Sequence, residues 1–200
     1  TKFYMLGLKF LTISRKLLDS LNLRTVARPL LEEFQEQTGE MVFLSVLSGG
    51  KVVYLDKLQT PGHLVLATEV GYSLPPHACT SGKTLMAWRS QKEVMDIYPT
   101  EVLPPHRKNT VMTRTMLLKE LEEIRAQGYC IGTEQYFQGI RGVAAPILID
   151  GQSVASVCMA GPISYMTMDR VNKKIVPLLM KTVSTISTLL GQDNVQELLS

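Results

Sequence analysis

Small polar residues gather where a helix should begin in Gly71-Tyr-Ser-Leu-Pro-Pro-His-Ala-Cys-Thr-Ser-Gly-Lys-Thr-Leu-Met-Ala-Trp88. The first N–H groups of a helix have no internal acceptor and sit at the positive end of its dipole. The small side chains of Ala78, Thr80, Ser81 and Gly82 leave those groups open to an anion, which is the chemistry of a carboxylate or phosphate site. A merely structural strand-to-helix turn is the plainer alternative. The segment is no nucleotide-binding P-loop. That pattern requires glycine at position 77, where this chain has His77, and two prolines replace the strand that should feed the loop. Cys79 lies just before the same helix start and two residues from His77. Both neighbours could lower a thiol pKa, so a cysteine-dependent hydrolase or transferase is a competing reading, although no Asn or Asp stands out to orient the histidine. No second pair of ligands accompanies His77 and Cys79 at metal-binding spacing, so no metal is expected.

A second constellation is Gly132-Thr-Glu-Gln-Tyr-Phe-Gln-Gly-Ile-Arg-Gly-Val-Ala-Ala-Pro146. Its glycines, Gly132, Gly139 and Gly142, permit close backbone approach or turns with positive φ. Arg141 could clamp a carboxylate through its guanidinium fork. An ion pair between Arg141 and Glu134 that merely closes the loop is the plainer reading. Cys158, in the middle of an apolar run, reads as a buried thiol.

The elements that must position these groups follow from periodicity and punctuation. Leu6, Phe10, Ile13, Leu17 and Leu21 recur at helical spacing, with Leu8, Leu11 and Leu18 on another face. A helix apolar on two sides expects burial on two sides, against a partner subunit, a neighbouring domain or this domain's own core. A second helix starts near Asn22, should kink or start late at Pro29, and stops at Gly39. Apolar runs 41–47 and 52–58 flank Ser48-Gly49-Gly50, and runs 142–149 and 153–160 flank Asp150-Gly151; both are hairpin signals. Residues 63–70 read as a third strand. Helices are expected at 81–89, 91–98 and 115–127, the last ending at Gly128. Thr167 or Asp169 opens a closing helix with Gly191 as its stop. The order argues for an α+β domain, an antiparallel sheet with helices on its faces.

The bulk properties agree. A chain of 200 residues with 45% hydrophobic content can bury a sizeable core. The net charge of +3 is scattered. Arg15, Lys16, Arg24 and Arg28 lie alongside Glu32, Glu33 and Glu36 as a solvated helical face, with no basic stripe for nucleic acid. Three cysteines form no disulfide framework, and neither a membrane span nor a signal peptide is found, so a cytoplasmic protein is expected. A start at Thr1 inside structured sequence points to a fragment.

Together these segments resemble the effector-binding domain of the IclR family of bacterial transcription regulators. The resemblance rests on Tyr4-Met-Leu-Gly7, Leu23 with Ala27-Arg-Pro-Leu30, Thr38-Gly-Glu40, Pro75-Pro-His-Ala78 with Ser81-Gly-Lys83, and Gly128-Tyr129. Glu134, Gly139-Ile-Arg-Gly-Val-Ala-Ala-Pro146 and Ala160-Gly-Pro162 complete it, in order and over nearly the whole chain. It implies a winged helix-turn-helix DNA-binding domain upstream of Thr1, and the end of the wing with a linker helix over 1–20. A GAF-like sensor domain would follow over 21–192, then a tail over 193–200. It further implies a DNA-binding regulator without enzymatic activity or cofactor, working as a homodimer or a dimer of dimers and binding a small organic acid that modulates operator binding. The pocket of such a sensor would fall on Thr80 and Ser81, on the loop of Gly132, Thr133 and Glu134, and on Gly142, Cys158 and Ala160. Relatives often carry cysteine where this chain has Gly142, and serines where it has Cys158 and Ala160. The pocket is therefore expected to be roomier and less polar. A dimerisation module that ignores every acid is the remaining alternative.

Overall fold

The computed structural model describes residues 22–59, 66 and 68–199. The apolar repeat from Leu6 to Leu21 and the expected linker lie outside the described residues.

Helix α1 (Asn22–Thr38) presents Ala27, Leu31 and Phe34 to the core, and it runs on through Pro29 without interruption. It ends where the sequence places its stop: Gly39 adopts φ 76°, and its N–H donates to Gln35 O at 2.7 Å. Only glycine takes that conformation freely. Strands β1 (Met41–Ser48) and β2 (Lys51–Leu58) form the first expected hairpin, with Gly49 and Gly50 at φ 56° and 71°. Two successive positive-φ residues make the tight turn that matches strand twist. The second hairpin repeats the device: β5 (Ile140–Ile149) and β6 (Gln152–Pro162) join through Asp150 and Gly151 at φ 50° and 73°.

Between the hairpins come β3 (Ser73–Leu74), a single 3₁₀ turn at Pro76–Ala78, α2 (Thr80–Ala87), α3 (Gln91–Ile97), α4 (Arg114–Gln127) and β4 (Cys130–Thr133). Helix α3 carries a full capping box from Ser90 and Glu93, and α4 closes on left-handed Gly128. After β6, Thr167 accepts from the Arg170 N–H and caps α5 (Met168–Arg170), which continues through a π-helical turn at Val171–Ile175 into α6 (Val176–Leu199). Gly191 does not stop this helix. Residues 193–199, expected as a tail, belong to it.

The expected third strand at 63–70 is corrected at 66 and 68–70, and its residues 63–65 and 67 lie outside the described residues. Leu66 and Thr68–Val70 are not in a strand. The Lys57 ammonium reaches across from β2 and donates to the carbonyls of Leu66 (3.1 Å) and Thr68 (2.6 Å), which a sheet ladder would otherwise occupy. Strands β3 and β4, short and Gly- or Pro-flanked, were not foreseen.

The sheet is antiparallel throughout, in the order β3-β2-β1-β6-β5-β4. Successive residues of each strand face opposite ways. Val42, Leu44, Val143, Val157 and Met159 meet α1 and the face of α6 bearing Leu179, Val183 and Ile186. Met41, Phe43, Ala144, Cys158 and Ala160 face the other side, towards Cys79 and Leu85 at and within α2. Beyond α2 a third cluster packs α2, α3 and α4 together through Met86, Val94, Leu117 and Leu121. The side chain of Asp56, buried on β2, is held by Arg28 at 2.9 and 3.0 Å and by Arg24 at 3.4 Å. The arginines expected on a solvated face thus tether α1 to the sheet. No helix among the described residues is long and apolar enough to cross a membrane.

Candidate functional site

Helix α2 is aimed at the sheet by its own glycine. A Cβ at Gly82 would lie 2.4 Å from Pro76 Cα, so only glycine lets the helix start nest on the preceding turn. Cys79, in extended conformation, supplies no side-chain oxygen cap. Its carbonyl takes the first helical bond from Lys83 N–H at 3.1 Å. The N–H groups of Thr80 and Ser81 remain without an intrahelical acceptor.

Opposite them, strands β4 and β5 carry glycine side by side. Gly132, Gly142, Ala160 and Met41 stand in one row across β4, β5, β6 and β1. A Cβ added at Gly132 or Gly142 would approach Thr80 Oγ1 to 2.6 or 2.7 Å. Between helix start and row lies a cavity of about 50 Å³. Thr80, Ser81, Gly132, Gly142, Cys158 and Ala160 line it, as do Phe43, Tyr54 and Leu74. Leu66 and the strap of Gln135, Tyr136 and Phe137 complete its wall. The wall is apolar and aromatic, and none of its lining residues is Arg or Lys. Burial pushes the Tyr54 phenol far above its usual range, so it stays a neutral hydrogen-bonding group. Tyr136 is pushed up to about 12, first by loss of water and then by its hydrogen bond with Tyr72. His106 stacks on the Tyr136 ring at 4.0 Å.

Gly82, Thr133, Glu134 and Arg141 do not line this cavity. Arg141 is next to Gly142 on an extended strand and therefore points to the other face. Its Nε donates to Thr133 Oγ1 at 2.9 Å and its Nη1 donates to Met166 O. Glu134, at φ 53°, accepts from Gly139 N–H at 2.8 Å and stitches its own loop. The expected Arg141–Glu134 ion pair is replaced by these bonds. Phe43, Tyr54, Gln135, Tyr136 and Phe137 were missed. For the first two the signal was strand alternation, since both are aromatic positions on the pocket side of the first hairpin.

The thiol chemistry suggested by Cys79 and His77 is not assembled. The Tyr98 hydroxyl accepts from His77 N–H at 3.1 Å and donates to Nδ1 at 2.9 Å. Nε2 lies 2.9 Å from Pro104 O, a carbonyl that can only accept, so Nε2 carries the proton. Burial, with help from nearby Lys83 and His106, lowers the imidazole pKa below its ordinary value. Both ring nitrogens are committed away from Cys79. The Cys79 thiol is pushed up to about 12 by burial, and Cys158, which accepts from the Ser81 hydroxyl, to about 11. Groups of three or more His, Cys, Asp or Glu that could hold a metal are absent among the described residues.

The sequence model described as bacterial transcriptional regulator IclR C-terminal matches residues 15–188. The chain belongs to the IclR family. Among curated IclR-type relatives, the HTH-type transcriptional regulator XynR of Escherichia coli K12 is 30% identical over 144 residues. That match covers 72% of this chain, and the chain spans 57% of XynR's length. Among solved structures, Thermotoga maritima IclR superposes with a TM-score of 0.84 at 28% identity, covering 94% of this chain and 76% of that one. An IclR homologue from Microbacterium hydrocarbonoxydans, complexed with 4-hydroxybenzoate, gives a TM-score of 0.76 at 26% identity, covering 84% and 68%. The six-stranded sheet with its flanking helices is thus the IclR C-terminal α+β fold, and the family is one of transcription regulators.

Proposed function

We propose that this IclR-family domain senses a small organic acid at the start of α2 and passes the occupancy of that site to DNA binding. The carrying observation is the helix start at Thr80 and Ser81, whose N–H groups have no intrahelical acceptor, lining a cavity floored by Gly142, Cys158 and Ala160. A carboxylate seated there would take both N–H bonds and the favourable end of the helix dipole, which contributes about 0.3–2 kcal/mol. With no Arg or Lys in the wall among the described residues, the anion is held by backbone donors and hydroxyls, and an apolar body is held by the aromatic wall. The hydroxybenzoate complex of the Microbacterium homologue supports an acid as the ligand class.

In this reading residues 1–20 are the end of a wing and a linker helix, 21–192 form the sensor, and the active form is a homo-oligomer in the cytoplasm. The doubly apolar stripe of 6–21 is what supports self-association. Regulation requires that the acid bind two conformations unequally, with coupling of about 1–3 kcal/mol typical.

The test is an NMR titration of the domain with carboxylic acids and their methyl esters, following the Thr80 and Ser81 amides. Acids shift those resonances, esters do so far less, and Ala160→Val, which adds methyl groups to the cavity floor, abolishes the response. If no acid at millimolar concentration moves either amide, the sensor reading fails and the domain acts in assembly alone.

A further inference from the structure

Gln135 stands at a position that the helix start alone does not explain. Its backbone is fixed: the carbonyl accepts from Thr110 Oγ1 at 2.7 Å, and the flanking carbonyls of Thr133 and Tyr136 accept from Asn109 (3.2 Å) and Arg107 (3.3 Å). Its side chain is not fixed in the same way. The half-buried amide folds back over Gly132, and its Oε1 is sealed from solvent with no hydrogen-bond partner among the described residues. A Cβ placed on Gly132 would meet Gln135 Oε1 and Thr80 Oγ1 at 2.6 Å each. The Gln135 amide therefore occupies the volume that a side chain at 132 would fill, on the rim of the cavity beside the helix start.

The same side chain borders an outer cleft of about 220 Å³, lined among others by Lys83, Glu120, Glu123 and Ile131. Gln135 is thus a partition between this cleft and the cavity of about 50 Å³. An engineered apolar cavity of about 150 Å³ accepts benzene and stays dry when empty. The cavity here is well short of that, while the cleft on the other side of Gln135 exceeds it. Nothing among the described residues bonds Oε1 in place, and a buried acceptor without a donor is disfavoured, so displacing the amide breaks no hydrogen bond at Oε1.

We infer that Gln135 is a plug that sets ligand size: with its amide over Gly132 the cavity admits only a compact acid of about two or three carbons, and without it an aromatic monocarboxylate fits. The acid half of this statement rests on the proposed sensor function; the plug does not. The roomier pocket expected from Gly142 and Ala160 is, on this account, refilled from the strap.

The experiment compares the unmodified domain with Gln135→Ala and with Gln135→Met, which keeps the bulk and loses the amide. The probes are benzene, benzoate and acetate, titrated by NMR with Thr80 and Ser81 as reporters. Neither variant removes a backbone hydrogen bond, so both should fold; thermal unfolding of each verifies this. Benzene and benzoate should bind Gln135→Ala at least about tenfold more tightly than the unmodified domain, with acetate little changed. Gln135→Met should keep the original size limit. If benzene binds Gln135→Ala while neither acid binds any form, the plug stands and the acid-sensing function falls. If acetate binds the unmodified domain but Gln135→Ala gains nothing for benzene or benzoate, the plug is overturned and the sensing function stands. Equal gains in Gln135→Met and Gln135→Ala also overturn it, because volume would then not be what excludes the ring.

Discussion

Replacing Gly82 with alanine should reverse a familiar sign. Alanine within a helix is ordinarily more stable than glycine by about 1 kcal/mol. At this position the new Cβ would lie 2.4 Å from both Pro76 Cα and Pro76 O, and 2.7 Å from its carbonyl carbon, where ordinary contact begins at 3.4 Å. The atoms struck are backbone, in a turn stiffened by Pro75 and Pro76, and no rotamer change relieves them. Overpacking of this kind costs roughly 1–3 kcal/mol, and three simultaneous backbone contacts put it at about 3. The net expectation is a loss of about 2 kcal/mol, or about 4–8 °C in Tm for a domain of this size. Because relief requires α2 to lift off the turn, the Thr80 and Ser81 amides should shift as well. Gly191 is the internal control: it is helical, and an added Cβ meets nothing within 4 Å, so Gly191→Ala should stabilise by up to about 1 kcal/mol. Urea unfolding of the two variants against the parent decides the matter. A Gly82→Ala domain as stable as the parent would refute the close-nesting argument for how the helix start is aimed.

Two further outcomes follow from groups beside the site. His77 has its pKa lowered below 6.5 by burial, so the folded state favours the neutral ring. Stability should be full above about pH 6.5 and should fall as pH drops, because the unfolded chain takes up the proton first; the loss ends once the folded pKa is passed. The urea midpoint measured from pH 7.5 down to 5 should show this slope, and His77→Gln should flatten it; an equal slope in the variant would sink the assignment. The thiols of Cys79 and Cys130 are pushed up to about 12 and that of Cys158 to about 11, and all are buried. Ellman's reagent at pH 8 should therefore find no fast thiol in the folded domain and three after unfolding. A single fast thiol in the folded state would reopen the enzymatic reading of Cys79.

Much of the fold was legible because its punctuation is local. Gly-Gly at 49–50, Asp150-Gly151, Gly39 and Gly128 each dictate a turn or stop through their own φ. The segment 63–70 failed for the opposite reason. Its apolar residues suit a strand, yet a lysine from β2 captures the carbonyls of Leu66 and Thr68, and no pattern within 63–70 announces a donor that is nine residues or more away. Strand β4 is four residues long and pairs with β5 beyond a loop, so its evidence lay outside its own residues. At the site, the helix start and the small residues on the floor were readable from side-chain size. Arg141 was misassigned although the correction was available: neighbours on a strand cannot share a face, so Gly142 in the floor excludes Arg141 from it. Gln135 could not be foreseen, since its place over Gly132 depends on how the strap folds back.

The alternation of β5 and β6 carries a consequence for how such a domain diversifies. Gly142, Ala144, Cys158 and Ala160 face the cavity side, while Val143, Ala145, Val157 and Met159, interleaved with them, belong to the core under α1 and α6. Every second codon along these two strands thus addresses a different task. Substitutions at the even positions can retune what the floor accepts while leaving the helix-packed side untouched, and drift at the odd positions is restrained by that packing alone. Inheritance of the scaffold and exploration of new ligands are thereby separated on one piece of sheet, a single residue apart.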